Sequence, residues 1–144
     1  MVFSSIPGQQ VIKDYFTKIV NENRVPHAQL MVGGEGHGKL ALAIALANYL
    51  QCQDKAENGP CGQCRACHKS SQYIHPDIHF AFPVVKKDKL KREDTTSNDF
   101  LPEWRDFLKT NPFGDINNWL HHICLLYTSP SPRDLSTSRM PSSA

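Results

Sequence analysis

The chain has 144 residues, enough for one domain, and carries 16 Lys+Arg against 14 Asp+Glu. So balanced a charge offers no global basic field for nucleic acid, and no apolar run approaches the length of a membrane span. A start without a charged-then-apolar leader fits the cytoplasm, where five cysteines point to metal or redox chemistry rather than disulfides.

Residues 3–8, FSSIPG, read as an extended or turn-like entry, because the residue before Pro7 avoids helix. A helix is predicted over 9–23. There Val11, Ile12, Tyr15, Phe16, Ile19 and Val20 recur on one face at helical period. Residues 24–27 end it, and Leu30, Met31 and Val32 form a short apolar strand. Gly33-Gly34-Glu35-Gly36-His37-Gly38-Lys39 follows, then an Ala/Leu-rich helix over 38–51. Strand, glycine loop and helix make a phosphate cradle, since loop N–H groups and the positive helix end both face an anion.

Gly33, Gly36, Gly38 and Lys39 are the candidate nucleotide-binding residues, with Gly33 through Lys39 matching G-x-x-x-x-G-K. At a glycine frequency of about 7% this pattern arises by chance in roughly 4% of chains this long, and its flanks lower that further. The bland alternative is a turn that binds nothing, with Lys39 solvated. A lysine at a helix N-terminus is opposed by the helix dipole, and a nearby anion would explain it. The final position departs from the pattern. Leu40 stands where Ser or Thr would hold Mg²⁺, so ATP binding stays open while the Mg²⁺ site is lost.

Helix 38–51 is apolar nearly all round, as expected for a helix packed on a parallel sheet. Cys52, Cys61, Cys64 and Cys67 then form a C-x8-C-x2-C-x2-C array. Short C-x2-C steps let thiolates converge on one tetrahedral ion, so the four are assigned to a structural Zn²⁺ site. A single redox C-x-x-C would leave two cysteines unexplained. Gly59, Pro60 and Gly62 supply the turn, and His68, beside a complete ligand set, is a bystander.

A short helix is expected over 65–72, then His75-Pro76-Asp77, where Asp77 caps or turns into a second strand at 78–85 rather than acting as a ligand or acid. Residues 86–99 are a mixed charge run whose lysines are diluted by Asp88, Glu93 and Asp94, which predicts a solvated loop. Helices follow over 100–110, with Trp104, Phe107 and Leu108 on one face, and over 116–123, around Trp119 and Ile123.

From Cys124 onward 11 of 21 residues are Ser, Thr or Pro without periodicity. CLLYTSPSPRD reads as a one-frame translation of the transposon-end adaptor of sequencing libraries, and SRMPSSA as its far end. Residues 124–144 are therefore expected to be non-native, leaving 1–123 as a part of a larger domain with net charge +1 (14 Lys+Arg minus 13 Asp+Glu). Two strands alone would leave much apolar surface uncovered.

A phosphate loop whose helix runs straight into four cysteines resembles the bacterial clamp-loader subunits of DNA polymerase III, and among them the delta-prime family. The resemblance covers residues 3–85: Phe3, Ile6, Gly8 and Gln9 are similar to an opening motif beside the nucleotide pocket, RVPHA at 24–28 to the entry to the first strand, and the cysteine spacing and His75-Pro76-Asp77 to later motifs. It implies an incomplete P-loop/AAA+ (RecA-like) doubly wound α/β domain with an inserted four-Cys zinc module. It also implies a ring that opens the sliding clamp and loads it onto primed DNA, hence other clamp-loader subunits, the clamp and primer-template DNA as partners, and no membrane. Motor subunits of the gamma/tau type keep Thr after the lysine, whereas delta-prime subunits usually depart from it and do not hydrolyse ATP. Leu40 places the chain with the latter. The acidic Mg²⁺ motif and the arginine motif would lie beyond Ile123. Two other classes compete: a zinc-ribbon nucleic-acid binder, which leaves the glycine loop idle, and a nucleotide kinase with a zinc lid, whose loop usually opens the chain and keeps Ser or Thr.

Overall fold

A computed structural model describes residues 1–85 and 95–127. In order it contains a 3₁₀ turn at Phe3–Ser5, α1 (Gln10–Asn21), α2 (Lys39–Gln51), β1 (Lys55–Ala56), β2 (Gly59–Pro60) and α3 (Arg65–Ser71). A second 3₁₀ turn at Ser97–Phe100, α4 (Leu101–Thr110) and α5 (Ile116–Tyr127) complete it. The one sheet among the described residues is a two-stranded antiparallel ladder, Lys55 opposite Pro60 and Ala56 opposite Gly59.

The helix starts follow from local chemistry. Gln9, at φ 57°, turns the chain into α1, and Gly38, at φ 71°, does so for α2. A left-handed residue of that kind is far easier for glycine than for others. Thr96 and Asp99 exchange bonds as a capping box ahead of α4, so the end of the charged stretch is an ordered turn. The remainder of that stretch, residues 86–94, lies outside the described residues.

Helix α2 is the centre of the molecule, and its apolar circumference is covered on two sides. Ala41, Leu42, Ala45, Leu46 and Tyr49 pack with Phe3, Ile6, Phe16, Ile19 and Val20. On the other side Ile44 joins a cluster built on Phe100, Trp104, Phe107, Leu108, Trp119 and Ile123, against which Leu40 also packs. Ala41 and Ala45 are wholly buried, which lets the neighbouring elements approach closely. The face of α1 is narrower than its periodicity suggests: Phe16, Ile19 and Val20 are buried, while Val11 and Tyr15 are exposed.

Neither expected strand forms a ladder. Residues 78–85 are extended, and Phe80, Phe82 and Val84 alternate inward onto the aromatic cluster. Their backbone is held by side chains instead. Ser97 Oγ accepts from Phe82 N at 3.1 Å and donates to Phe82 O at 3.0 Å, and Trp119 Nε1 donates to Pro83 O at 2.7 Å. Pro83 has no N–H, so a ladder through it would be interrupted in any case. Residues 30–32 meet no neighbouring strand among the described residues, and Leu30 (89% exposed) and Val32 (84%) face solvent. The helix expected on a parallel sheet is thus packed by helices and by an aromatic wall. No helix of the described residues is long and apolar enough to cross a membrane.

Burial separates the consequences of two large-to-small changes. Trp119, 0% exposed, should cost about 3–5 kcal/mol when cut to Ala. Leu30→Ser, at an exposed position, should stay within about 0.5 kcal/mol. Chemical denaturation of both variants checks this, and equal losses would contradict the packing described.

Candidate metal centre and phosphate loop

The thiols of the cysteine cluster arrive from three local structures, the end of α2, the hairpin and α3. Cys52 ends α2 as its C-terminal cap, buried. Cys61 follows β2, and Gly62, at φ 75°, turns the chain so that Cys64 N donates to Cys61 Sγ at 3.3 Å. Cys64 caps the start of α3 and accepts from Cys67 N at 3.4 Å, and Cys67 lies buried in that helix. Cys61 N in turn donates to Cys52 Sγ at 3.3 Å.

The four sulfurs all lie within 4.8 Å of one another. Separations of 3.6 Å (Cys52–Cys61), 4.0 Å (Cys52–Cys64) and 3.9 Å (Cys61–Cys67) define the approach. Tetrahedral ligands at the zinc–thiolate bond length of about 2.3 Å stand about 3.8 Å apart, so the donor set fits one such ion. His68 is exposed and outside the set, as its place after a complete set of ligands suggests.

The thiols differ in acidity. The Cys67 and Gln53 backbone N–H groups bring Cys64 down to about 6. Burial, helped by the bond to Cys64, pushes Cys67 up to about 12. Burial likewise raises Cys52, whose thiol donates to Asp54 O at 3.2 Å. The shifts run in opposite directions within one cluster, and binding of a cation there would displace the protons of its thiols.

At the opposite end of α2, Gly33, Gly36, Gly38 and Lys39 are brought together around the helix N-terminus. Gly36, at φ 72°, makes the turn. Lys39 Nζ donates back to Gly33 O at 2.6 Å and Gly34 O at 2.5 Å. The His37 ring lies across the same loop, so close that a Cβ on Gly34 would stand 2.9 Å from Nδ1. Lys39 and His37 border two clefts. One, of about 560 Å³, runs past Ile12, Tyr15, Leu30 and Met31. The other, of about 490 Å³, is walled by Phe82, Trp104 and Phe113. Leu40, the residue after the lysine, is half-buried against the aromatic cluster. Asp77 takes a turn, its N–H donating to His75 Nδ1 at 3.2 Å, and joins neither site.

Two long-range ties escaped the sequence. Asn117 Nδ2 donates to Glu35 Oε1 at 3.2 Å, joining the loop to α5 across 82 positions. Tyr49 bonds Asn21 and Ala56, joining α1, α2 and β1. A lone Asn or Tyr in a helical pattern carries no signal for either.

The sequence pattern of the family described as "DNA polymerase III, delta subunit" matches residues 8–113. Proteins named DNA polymerase III subunit delta' are similar over shorter spans. The one from Pseudomonas aeruginosa is 41% identical over 88 residues, 61% of this chain and 26% of its own length. That from Haemophilus influenzae is 39% identical over 62 residues, 43% and 19% of the two chains. A DNA polymerase III subunit tau/gamma from Haemophilus influenzae is 33% identical over 93 residues, 65% of this chain and 13% of its own. The chain thus spans about a fifth to a quarter of the delta' relatives' length. No solved structure matches at a significant level.

Protons compete with a cation for these thiolates. The apparent affinity of the cluster for Zn²⁺ should fall as pH falls, and more steeply below about 6, where Cys64 also takes up a proton. Competition against a chromophoric chelator between about pH 5 and 8 checks this, and a pH-independent affinity would rule out four-thiolate ligation.

Proposed function

The chain belongs to the DNA polymerase III delta-subunit family, and we propose on that footing that it serves as a clamp-loader subunit of the delta-prime type that does not hydrolyse ATP. In that role it helps to load the sliding clamp onto primed DNA in the cytoplasm, in complex with other clamp-loader subunits. The domain it contributes is of the AAA+ type, with the glycine loop heading an apolar helix and the cysteine module inserted after it.

Leu40 is the observation that carries the non-hydrolysing role. A motor of this kind needs a hydroxyl after the lysine to place Mg²⁺ on the phosphates. Leu40 has none, and its side chain packs against the aromatic cluster beside the loop. A gamma/tau-type ATPase is the second reading, favoured by similarity to tau/gamma proteins, and Leu40 counts against it. Gly33, Gly36, Gly38 and Lys39 would supply the backbone N–H groups and the cation for a nucleotide's phosphates, but Lys39 must first leave its two carbonyls. Nucleotide binding by this loop is therefore weak and independent of Mg²⁺.

The ion of the cysteine cluster is Zn²⁺ in a structural role. Four thiolates form a closed tetrahedral set with no open position for substrate, so the ion supplies folding energy rather than chemistry. Purified protein should contain one Zn²⁺ per chain. Cys64→Ser should lose the metal and melt at a lower temperature, and full metal retention by that variant would remove Cys64 from the site.

ATP turnover is the decisive measurement for the first proposal. Steady-state hydrolysis by the isolated chain should stay at background, and Lys39→Ala should change only the residual binding. Turnover comparable to a motor subunit, abolished by Lys39→Ala, would overturn it.

A further inference from the structure

Three of the four thiols are carried by helices or their caps, and Cys61 is not. Cys52 ends α2, while Cys64 and Cys67 belong to α3, which packs on α2. Cys61 comes off a ladder with two residues per strand, far below what an isolated hairpin needs to hold itself in water. Something else must fix it.

We propose that Tyr49 and Asn21 are positioning residues for the metal site, clamping the turn between β1 and β2 to the body so that Cys61 is presented to the ion. The Tyr49 hydroxyl donates to Ala56 O at 3.0 Å and shares its proton with Asn21 Oδ1 at 2.8 Å. Asn21 Nδ2 donates to Glu57 O at 3.2 Å. The last carbonyl of β1 and the first carbonyl of the turn are thus held from outside the hairpin. The amide's orientation follows from the bonds, since only its oxygen can accept from the phenol while its nitrogen serves Glu57.

Apolar contact completes the clamp. The Tyr49 ring is wholly buried and meets Phe3 edge-on, with centroids 5.9 Å apart. On the hairpin's side, Phe3 lies 3.4 Å from where a Cβ would stand on Gly59, ordinary van der Waals contact, and the φ of 145° at Gly59 is a conformation that favours glycine. Tyr49 is also three residues before Cys52, so one stretch of α2 places both the first ligand and the anchor of the second. Groups that hold metal ligands in place typically change affinity by 10–100-fold without touching the ion.

The inference rests on the cysteine cluster being a Zn²⁺ site, and one experiment separates the two. Zn²⁺ affinity is measured on the whole chain by chelator competition for wild type, Tyr49→Phe, Asn21→Ala and the double variant, with Co²⁺ absorption as the reporter of ligand geometry. Each single variant should bind Zn²⁺ about tenfold more weakly or worse, yet keep the tetrahedral thiolate spectrum. The double variant should be no weaker than the poorer single, because both act through one clamp. Asn21 is exposed, so its variant keeps the core even if Tyr49→Phe unfolds. Affinities within about twofold of wild type would overturn the clamp, including the case where Tyr49→Phe lowers the melting of metal-free and loaded protein equally. A wild-type chain that takes up no Zn²⁺ would instead remove the metal site, and the clamp with it.

Discussion

Both ends of one helix are committed. Helix α2 has 13 residues and is therefore about 20 Å long. It starts in the glycine loop and ends in the first thiol of the cysteine cluster. The rest of the molecule is arranged to hold that rod. Its surface is apolar on nearly every side, and two separate clusters cover most of it, leaving Leu40, Ala43 and Ala47 half-buried and Leu50 exposed. Ala41 and Ala45 are its fully buried small residues. Its one fully buried amide, Asn48, donates to Met1 O at 2.9 Å and so draws the start of the chain onto the same rod. A helix packed in this way transmits displacement between its ends rather than absorbing it, since close-packed interiors deform little.

The aromatic cluster does the work that a sheet would do elsewhere. Trp104 and Trp119 meet edge to face at 4.9 Å, with Phe82 stacked on Trp104 at 4.2 Å. Such contacts fill the volume beside α2, and their polar edge is used as well, through the Trp119 indole on Pro83 O. Extended segments need their backbone groups paired, and side chains meet that need here at Phe82 and Pro83.

What was legible in the sequence was local. The glycine run marked the start of α2 within one residue, and the cysteine spacing named the four thiols that come together, because turn geometry and ligand convergence are set by neighbours a few positions apart. Helices α3 and α4 likewise follow from local pattern, whereas α5 starts at Ile116 as expected but runs on to Tyr127, four residues past Ile123 into a stretch read as aperiodic. The two strands were overread for a physical reason: alternation reports which side chains turn inward, and at residues 78–85 that is what occurs. It does not report whether a partner strand lies alongside. Val11 and Tyr15 make the same point for a helix, since period 3.6 gives a face but not how much of it meets the core. Glu35 with Asn117, and Tyr49 with Asn21 and Ala56, depend on elements far apart in sequence, and no local pattern encodes them.

The loop shows how one substitution changes the meaning of an unchanged neighbour. A cation at a helix N-terminus is opposed by the dipole unless something negative offsets it. In a nucleotide site the phosphates do so. Here the offset comes from the loop itself, whose Gly33 and Gly34 carbonyls turn toward Lys39. Those two states exclude each other, because the ammonium that bonds the carbonyls is the one a phosphate would need. Leu40 offers no hydroxyl with which a Mg²⁺ could add its attraction on the side of a phosphate, which would favour the loop's own carbonyls. Lys39 then has a structural use that does not depend on nucleotide: it ties the loop to the head of α2. Retention of the lysine beside a lost Mg²⁺ ligand is thus physically consistent.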